Sequence, residues 1–397
     1  MTVMTAHVSS VARSRSLFAG VAALGLCVVG GALDRDQFFR SYLLAYLFWV
    51  GVALGCLAIL MIQHITGGAW GVLIRRVLEA GTRTLPWLAL LFVPVAAGMQ
   101  SLYLWARPDV MAADELLRHK AAYLNAPFFL ARAALYFACW FVLAWWLNRM
   151  SEQMDRSPNA RLTRRLVLFS AGGLLVFVLT MTFASVDWIM SLEPHWTSTI
   201  YGPLTMAGQA VSAFCFAIIV TALASRSAPA ARSDELRRAL TPDLVHDLGK
   251  LLFAFVMVWA YFALSQFLII WSANLPEEIP WYLRRTRGGW QWVGLAIILL
   301  HFALPFGLLL MRRVKRSSDR LVRVTMLILV MRAVDSWWTI SPAFDTTGLR
   351  PHWLDLAAMA GVGGLWIHLF LRQLDKMPLL PANDPQLVEA LAHGSHD

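Results

Sequence analysis

Ten predominantly apolar stretches, each about 20 residues long, constrain the fold of this chain more than any other feature. A helix of roughly 20 residues crosses the hydrocarbon core of a bilayer, where every backbone polar group must be paired inside the protein. The candidate spans are 17–33, 41–62, 85–105, 128–147, 166–190, 201–223, 251–271, 290–311, 321–338 and 354–371. The sequence therefore predicts an all-α, polytopic membrane protein with ten transmembrane helices in one integral membrane domain, 1–397.

The composition agrees with this prediction and argues against soluble domains. Hydrophobic residues make up 58% of the 397 residues and charged residues 15%. A soluble domain contains about 45–50% apolar and about 25% charged residues. The first stretch, 17–33, is short and glycine-rich, like the apolar part of a signal peptide. No small-x-small cleavage site follows it, so we interpret it as a retained span.

The distribution of positive charge predicts the orientation of the helices. An even number of spans places both chain ends on one side of the membrane, and that side holds 23 Lys and Arg residues against 9 on the other. Short loops rich in Lys and Arg stay in the cytoplasm, which predicts that both termini are cytoplasmic. The acidic residues divide equally between the sides. The net charge of +10 therefore reports orientation and requires no nucleic-acid partner.

The cysteines indicate that this chain binds no cofactor covalently. Each lies alone in a span, without a CxxC or CxxCH pattern, which argues against an iron–sulfur cluster, a structural zinc or a c-type haem. A b-type haem would need two axial ligands at matching depth, and the histidines near the spans lie at different depths. The four cysteines are Cys27, Cys56, Cys139 and Cys215.

The segment 183–196, FASVDWIMSLEPHW, closes the fifth span on the outer side and carries several groups capable of chemistry. Asp187, Glu193 and His195 are candidates to accept protons from a quinol hydroxyl and pass them to water. Trp188 and Trp196 are candidates to border the flat quinol ring. The alternative is an aromatic belt with a turn carboxylate, since Trp is enriched at membrane interfaces in any case.

Other polar residues lie deeper in the predicted spans. Arg332 and Asp335 are three positions apart on one helix face, so they are expected to pair. This pair either fixes helix packing or handles protons and binds quinol. Gln209, His301 and His368 extend inward and predict a proton path. Alternatively, His301 is a neutral core histidine that donates to a carbonyl one turn away.

Four segments give the chain a family resemblance. The motif at 183–196 and the following residues 198–213, STIYGPLTMAGQAVSA, resemble the ActF-type membrane subunits of alternative complex III, a quinol:cytochrome c oxidoreductase. The segments 247–290 and 331–344 (MRAVDSWWTISPAF) agree with this. The wider group is that of the NrfD-like, polysulfide-reductase-type membrane subunits.

The resemblance implies a fold, a location and partners. It implies two four-helix bundles, 41–190 and 201–338, with flanking helices at 17–33 and 354–371. It also implies a bacterial inner membrane, a homologous NrfD-like sister subunit, and periplasmic subunits that carry iron–sulfur clusters and multihaem cytochrome c. Quinol or quinone is then the expected ligand, on the periplasmic side.

Three hypotheses for function remain open. The chain is expected to be a subunit of a respiratory quinol-oxidising complex that contributes a quinol pocket, a proton path or both. The second hypothesis is a non-catalytic anchor for periplasmic iron–sulfur and haem subunits. The third, a standalone transporter, is weaker because no pair of short helices broken by Gly or Pro is present.

Overall fold

The computed structural model describes residues 10–157, 159–227, 236–345 and 347–381. Helix accounts for 84% of the structure, and these ranges contain no strand. The predicted all-α class of a polytopic membrane protein is therefore confirmed.

The described ranges contain ten helices, numbered α1 to α10 in chain order, that correspond to the predicted spans, with α3 displaced toward the N-terminus from the predicted span 85–105. Their bounds are α1 Ser10–Leu33, α2 Arg35–Thr66, α3 Ala69–Ala97, α4 Ala126–Arg156, α5 Ala160–Trp188, α6 Tyr201–Ser227, α7 Pro242–Ala273, α8 Trp290–Leu310, α9 Ser318–Ile340 and α10 Trp353–Leu374. All except α9 are, within the described residues, long and apolar enough to cross a membrane. Helix α9 carries Arg323, Arg332 and Asp335, which lower its hydropathy.

Two of these helices are interrupted, and several short helices lie in the connections between the long ones. Helix α3 consists of Ala69–Thr82, Leu85–Leu90 and Val93–Ala97, and α8 contains a π-helical segment, Ile297–Ala303. The short elements are Met99–Leu102, Leu104–Ala106, Pro108–Ala113, Glu115–His119, Met190–Leu192, Ile279–Arg285, Arg312–Lys315 and Ser341–Ala343. We call Ile279–Arg285, which lies between α7 and α8, the linking helix.

Local sequence determines where several helices begin and end. Asp34 caps α2 by accepting a hydrogen bond from the Gln37 backbone N–H at 3.0 Å. Thr241 caps α7 through the backbone N–H of Leu244, and Pro242 occupies the first turn, where its missing N–H costs nothing. Helix α7 ends before Asn274, whose φ of 52° lies in the left-handed region that Asn tolerates better than most residues.

Helices α2 and α6 form the centre of the protein. In the apolar stretches of these two helices, 89% and 78% of the residues are buried inside the protein, against 22% in α1, α7 and α8. They approach closely at Gly55, where a Cβ would collide with the backbone of Gln209. The proposed division into two four-helix bundles stays a prediction, and the α2–α6 contact crosses its boundary.

Helices α1 and α10 pack against each other in opposite directions. Arg13 at the start of α1 forms an ion pair of 3.0 Å with Asp375 after α10, while Gly30 lies against Leu354 at the other end. We call the side where α1 begins and α10 ends the terminal side, and the opposite one the distal side. Large apolar side chains on the outward faces of α1, α7 and α8 are exposed, as expected for contact with lipid acyl chains.

The prediction of a loop at 63–84 is wrong, because α3 occupies most of this segment. Three of its charged side chains, Arg75, Arg76 and Glu79, are buried in the protein, and Arg83 is partly buried. Glu79 accepts from Arg75 at 3.0 Å and from Arg76 at 2.7 Å, and Arg76 reaches Asp155 on α4 at 2.5 Å. A charged side chain can be buried when it is paired and hydrogen-bonded. The helix that carries these residues can therefore pack inside the protein.

Candidate functional site

A cavity of about 900 Å³ lies between α2, α5, α6, α7, α8, α9 and the linking helix. This volume lies within the range of about 300–1,000 Å³ typical of small-molecule sites. Apolar and aromatic side chains make up most of its wall. The principal polar side chains in the wall are Tyr201, Gln209, Gln266, Arg285, Arg332 and Asp335.

Arg332 and Asp335 form the predicted ion pair on α9. The Arg332 guanidinium donates through Nη1 to Asp335 Oδ2, and both side chains are nearly buried. The Ser336 and Thr339 hydroxyls donate to the backbone carbonyls of Arg332 and Asp335, one turn earlier on α9. The Nε of Arg332 has no hydrogen-bond partner in the described part of the chain, so one donor of this group remains available.

Gly208 on α6 makes room for the Arg332 guanidinium. A Cβ at this position would collide with Nη2 and Cζ of Arg332. The absence of a side chain therefore allows the guanidinium to lie directly against α6, at the level of the neighbouring Gln209.

Gln209 presents a second available polar atom. Its Nε2 lies 3.5 Å from the Met181 sulfur, a weak acceptor, while its Oε1 has no partner among the described residues. The indole Nε1 of Trp338, also in the cavity wall, is likewise without an acceptor there. These three residues of the cavity wall thus each carry a buried polar atom, two donors and one acceptor between them, that finds no hydrogen-bond partner in the described part of the chain.

Arg285, in the cavity wall near the distal side, belongs to a group of ion pairs that the sequence did not suggest. Glu193 accepts from Arg285 at 2.7 Å and from Arg284 at 2.8 Å, both on the linking helix. Arg285 also donates to the Thr339 carbonyl at 2.6 Å. Burial lowers the pKa of the Arg285 guanidinium and Glu193 opposes this shift, and the group stays charged as arginine does in proteins.

Aromatic rings support this distal wall. Trp196 stacks on Trp281 with ring centroids 4.9 Å apart, and the Arg285 guanidinium lies 3.7 Å from the centroid of the Trp281 ring. Trp338 packs edge-on against Trp281. Glu193 and Trp196 therefore fix the linking helix over the cavity, while Trp281 and Arg285 face into it.

Asp187 lies outside the cavity wall, in an ion pair with Arg132 on α4. The two form a bidentate contact at 2.8 and 2.9 Å, and the Tyr136 hydroxyl donates to Asp187 at 2.8 Å. The Arg132 guanidinium lies over the rings of Tyr123 and Phe128, 3.8 and 4.3 Å from their centroids. The hydrogen bonds and cation–π contacts of this pair are characteristic of a packing element.

Trp188 and His195 have different surroundings from Asp187. Trp188 is buried among aromatic rings, including Phe92 and Phe137, and its side chain borders the cavity. His195 is exposed and contacts Asp114 of the 108–119 connection at 2.7 Å. The carboxylates and imidazole of 183–196 therefore do not converge on one ligand position.

His301 lies in the π-helical segment of α8 and is completely buried. Pro305, four residues later, has no N–H to bond the His301 carbonyl, which gives a physical reason for the altered helix geometry here. Both ring nitrogens of His301 lack partners among the described residues. The ring packs edge-on against Trp259, with centroids 4.1 Å apart, so Trp259 rather than His301 borders the cavity.

His368 lies elsewhere, between α10 and α1 on the terminal side. Its Nδ1 is 3.0 Å from the Arg13 carbonyl, to which a ring N–H donates. The structure thus gathers Trp188, Gln209, Arg332 and Asp335 around the cavity and leaves the other candidates outside its wall.

The cavity also contains residues that were not among the predicted site residues. Gln266 on α7 lies 3.3 Å from the Ser198 hydroxyl, and Tyr201 begins α6 beneath Trp196. Arg285 belongs to a cluster of arginines in a predicted loop, and that cluster was its only signal in the sequence.

Compared with known proteins, the chain matches no protein-family model and no curated sequence.

Proposed function

We propose that this protein is an integral membrane subunit of a respiratory quinol:cytochrome c oxidoreductase, or of a complex with another periplasmic acceptor, and that its cavity binds quinol. The observation that carries this proposal is an apolar cavity lined by Arg332, Gln209 and Trp338, each of which has a buried polar atom without a partner among the residues that the structure describes. Leaving such a group unsatisfied costs about 1–3 kcal/mol, so a ligand that completes its hydrogen bonds gains affinity. A quinol ring supplies a flat apolar surface and hydroxyl groups that both donate and accept.

The chemistry assigned to the site is proton handling. Oxidation of a quinol to a quinone releases two electrons and two protons. In this proposal Gln209 Oε1 accepts a hydrogen bond from a ring hydroxyl, and the Asp335 carboxylate takes a proton from the bound quinol. Arg332 stabilises the negative charge that develops on the quinol oxygen as its O–H bond breaks. The protonated Asp335 releases this first proton to water and then takes the second, and the two electrons pass to iron–sulfur and haem c groups of partner subunits.

The proposed setting follows from the family resemblance and the charge distribution. The distal side is then periplasmic, and it faces the iron–sulfur and multihaem cytochrome c subunits. A homologous NrfD-like sister subunit lies beside the chain in the bacterial inner membrane, and both termini are cytoplasmic.

The anchor hypothesis has its own support in the distal ion pairs. Arg132 with Asp187, and Glu193 with Arg284 and Arg285, are engaged in contacts within the protein. Such pairs contribute to a defined packing of helices. If all polar residues act in this way, the chain only holds its partners.

Membership in a complex is tested by purification through an affinity tag on this chain from the native membrane. We expect subunits with iron–sulfur clusters and c-type haem to copurify, with quinol:acceptor activity in the same fraction. Isolation of the chain alone, with transport activity and without redox partners, would contradict the proposal and favour a transporter.

Replacing Gly208 with Ala tests the position of the Arg332 charge without removing it. The new methyl group displaces the end of a flexible side chain, so we expect normal folding and a several-fold loss of quinol turnover. The matched control is Gly172→Ala on α5, where an added Cβ meets nothing within 4 Å. Thermal unfolding and steady-state turnover of both variants check this, and equal turnover would argue against a ligand beside Arg332.

A further inference from the structure

We infer that the ligand of the cavity reaches it from the bilayer, between α7 and the part of α8 that precedes Leu304, and that it keeps a long apolar chain in this opening. The inference rests on the proposed function, and it specifies the ligand as a quinol with an isoprenoid tail. We call the opening the lateral mouth and define it by Tyr261 and Leu264 on α7 and by Leu295 and Ile298 on α8.

The first support is that the same side chains border the cavity and face outward. Tyr261 is 66% exposed and Ile298 is 60% exposed, although both line the cavity. Leu264 and Leu295 share this property. A side chain that belongs both to the cavity wall and to the outer surface of the protein marks a place where the wall is open.

The second support is the packing between the two helices. Helix α7 packs along the terminal half of α8, Leu304–Leu310, and makes few contacts with the distal half, Trp290–Ala296. The π-helical segment Ile297–Ala303 lies between these halves. The gap therefore opens where α8 changes its hydrogen-bonding pattern, at a depth within the apolar spans.

The third support is the chemical difference between the lateral mouth and the interior. The side chains that define the lateral mouth are aliphatic or aromatic, whereas Arg332, Asp335 and Gln209 lie in the wall on α9 and α6. A mouth of this kind disfavours an ion dissolved in water and admits a molecule dissolved in lipid. A ligand with a polar ring in the cavity and an apolar chain in the lateral mouth matches the chemistry of both regions.

The test uses the full chain in lipid nanodiscs and a quinone probe with two photoreactive groups. An aryl azide on the ring reports the head, and a diazirine at the end of the isoprenoid chain reports the tail. We expect peptide mapping to place the azide adduct on α6 or α9 near Gln209 and Arg332, and the diazirine adduct on α7 or α8 at the lateral mouth.

A substitution pair makes the result specific. Ile298→Trp fills the lateral mouth, whereas Leu299→Trp adds the same bulk to the adjacent lipid-facing position that does not border the cavity. We expect several-fold less azide and diazirine labelling at their respective sites with Ile298→Trp, and unchanged labelling with Leu299→Trp.

The outcomes separate the two proposals. Azide labelling in the cavity with diazirine labelling away from α7 and α8 would overturn the lateral mouth and keep the quinol pocket. Diazirine labelling at the lateral mouth with azide labelling outside the cavity would indicate that a lipid chain occupies it, which overturns both. Absence of azide labelling in the cavity would overturn the proposed function itself.

Discussion

Replacing Asp335 with Asn is expected to lower quinol turnover by the assembled complex by on the order of 100-fold, because a positioned proton acceptor contributes about 10²–10⁴ in rate. The amide keeps the shape of the carboxylate but cannot take a proton from the bound quinol. Steady-state turnover with a saturating quinol, together with proton release, measures this effect.

The same substitution also removes the counter-charge of buried Arg332, and this effect must be separated from chemistry. Breaking a buried pair by neutralising one partner typically costs about 3–5 kcal/mol of stability. Replacing both partners, as in Arg332→Met with Asp335→Leu, leaves no uncompensated charge and is expected to restore thermal stability. Turnover is expected to stay low in this double variant.

The double variant therefore distinguishes the two interpretations of the pair. If stability and turnover both recover, the pair only fixes the packing of α9. If stability recovers and turnover does not, the pair acts on the ligand. Wild-type turnover in folded, assembled Asp335→Asn would exclude Asp335 as the proton acceptor.

Replacing Arg132 with Met is expected to lower the free energy of unfolding by about 3–5 kcal/mol, because it leaves Asp187 as a buried charge. Asp187 is 1% exposed and takes hydrogen bonds from Arg132 and from the Tyr136 hydroxyl. Thermal unfolding in lipid nanodiscs and the yield of assembled complex measure the loss. The pair lies outside the cavity wall, so properly folded molecules should retain turnover.

A matched triple variant controls this prediction. Arg132→Met, Asp187→Leu and Tyr136→Phe together remove both charges and the hydroxyl that would otherwise lose its acceptor. We expect most of the stability to return with near-normal turnover. A stable triple variant that has lost turnover would instead assign Asp187 to the reaction.

The sequence was sufficient for features that depend on local pattern. Apolar stretches of span length predicted the places of the long helices except α3, and three-residue spacing predicted the pairing of Arg332 with Asp335. Both follow from geometry within one helix, which is fixed by the helical repeat.

The sequence was insufficient wherever a distant partner determines the environment of a residue. Arg76 belongs to a buried helix because Asp155 and Glu79 compensate its charge, and a hydropathy pattern does not register that compensation. Asp187 and Glu193 are close in sequence, yet one pairs with Arg132 and the other with Arg285. The cavity was not predictable for the same reason, since its wall combines side chains of six helices and the linking helix.

The most direct measurement is a cryo-electron microscopy map of the full chain in lipid nanodiscs with a long-chain quinone. The proposed function predicts density for the ring in the cavity, within hydrogen-bond distance of Arg332 or Gln209, and density for the chain between α7 and α8. A cavity that contains only acyl chains or water, with the quinone ring bound elsewhere or absent, would contradict it.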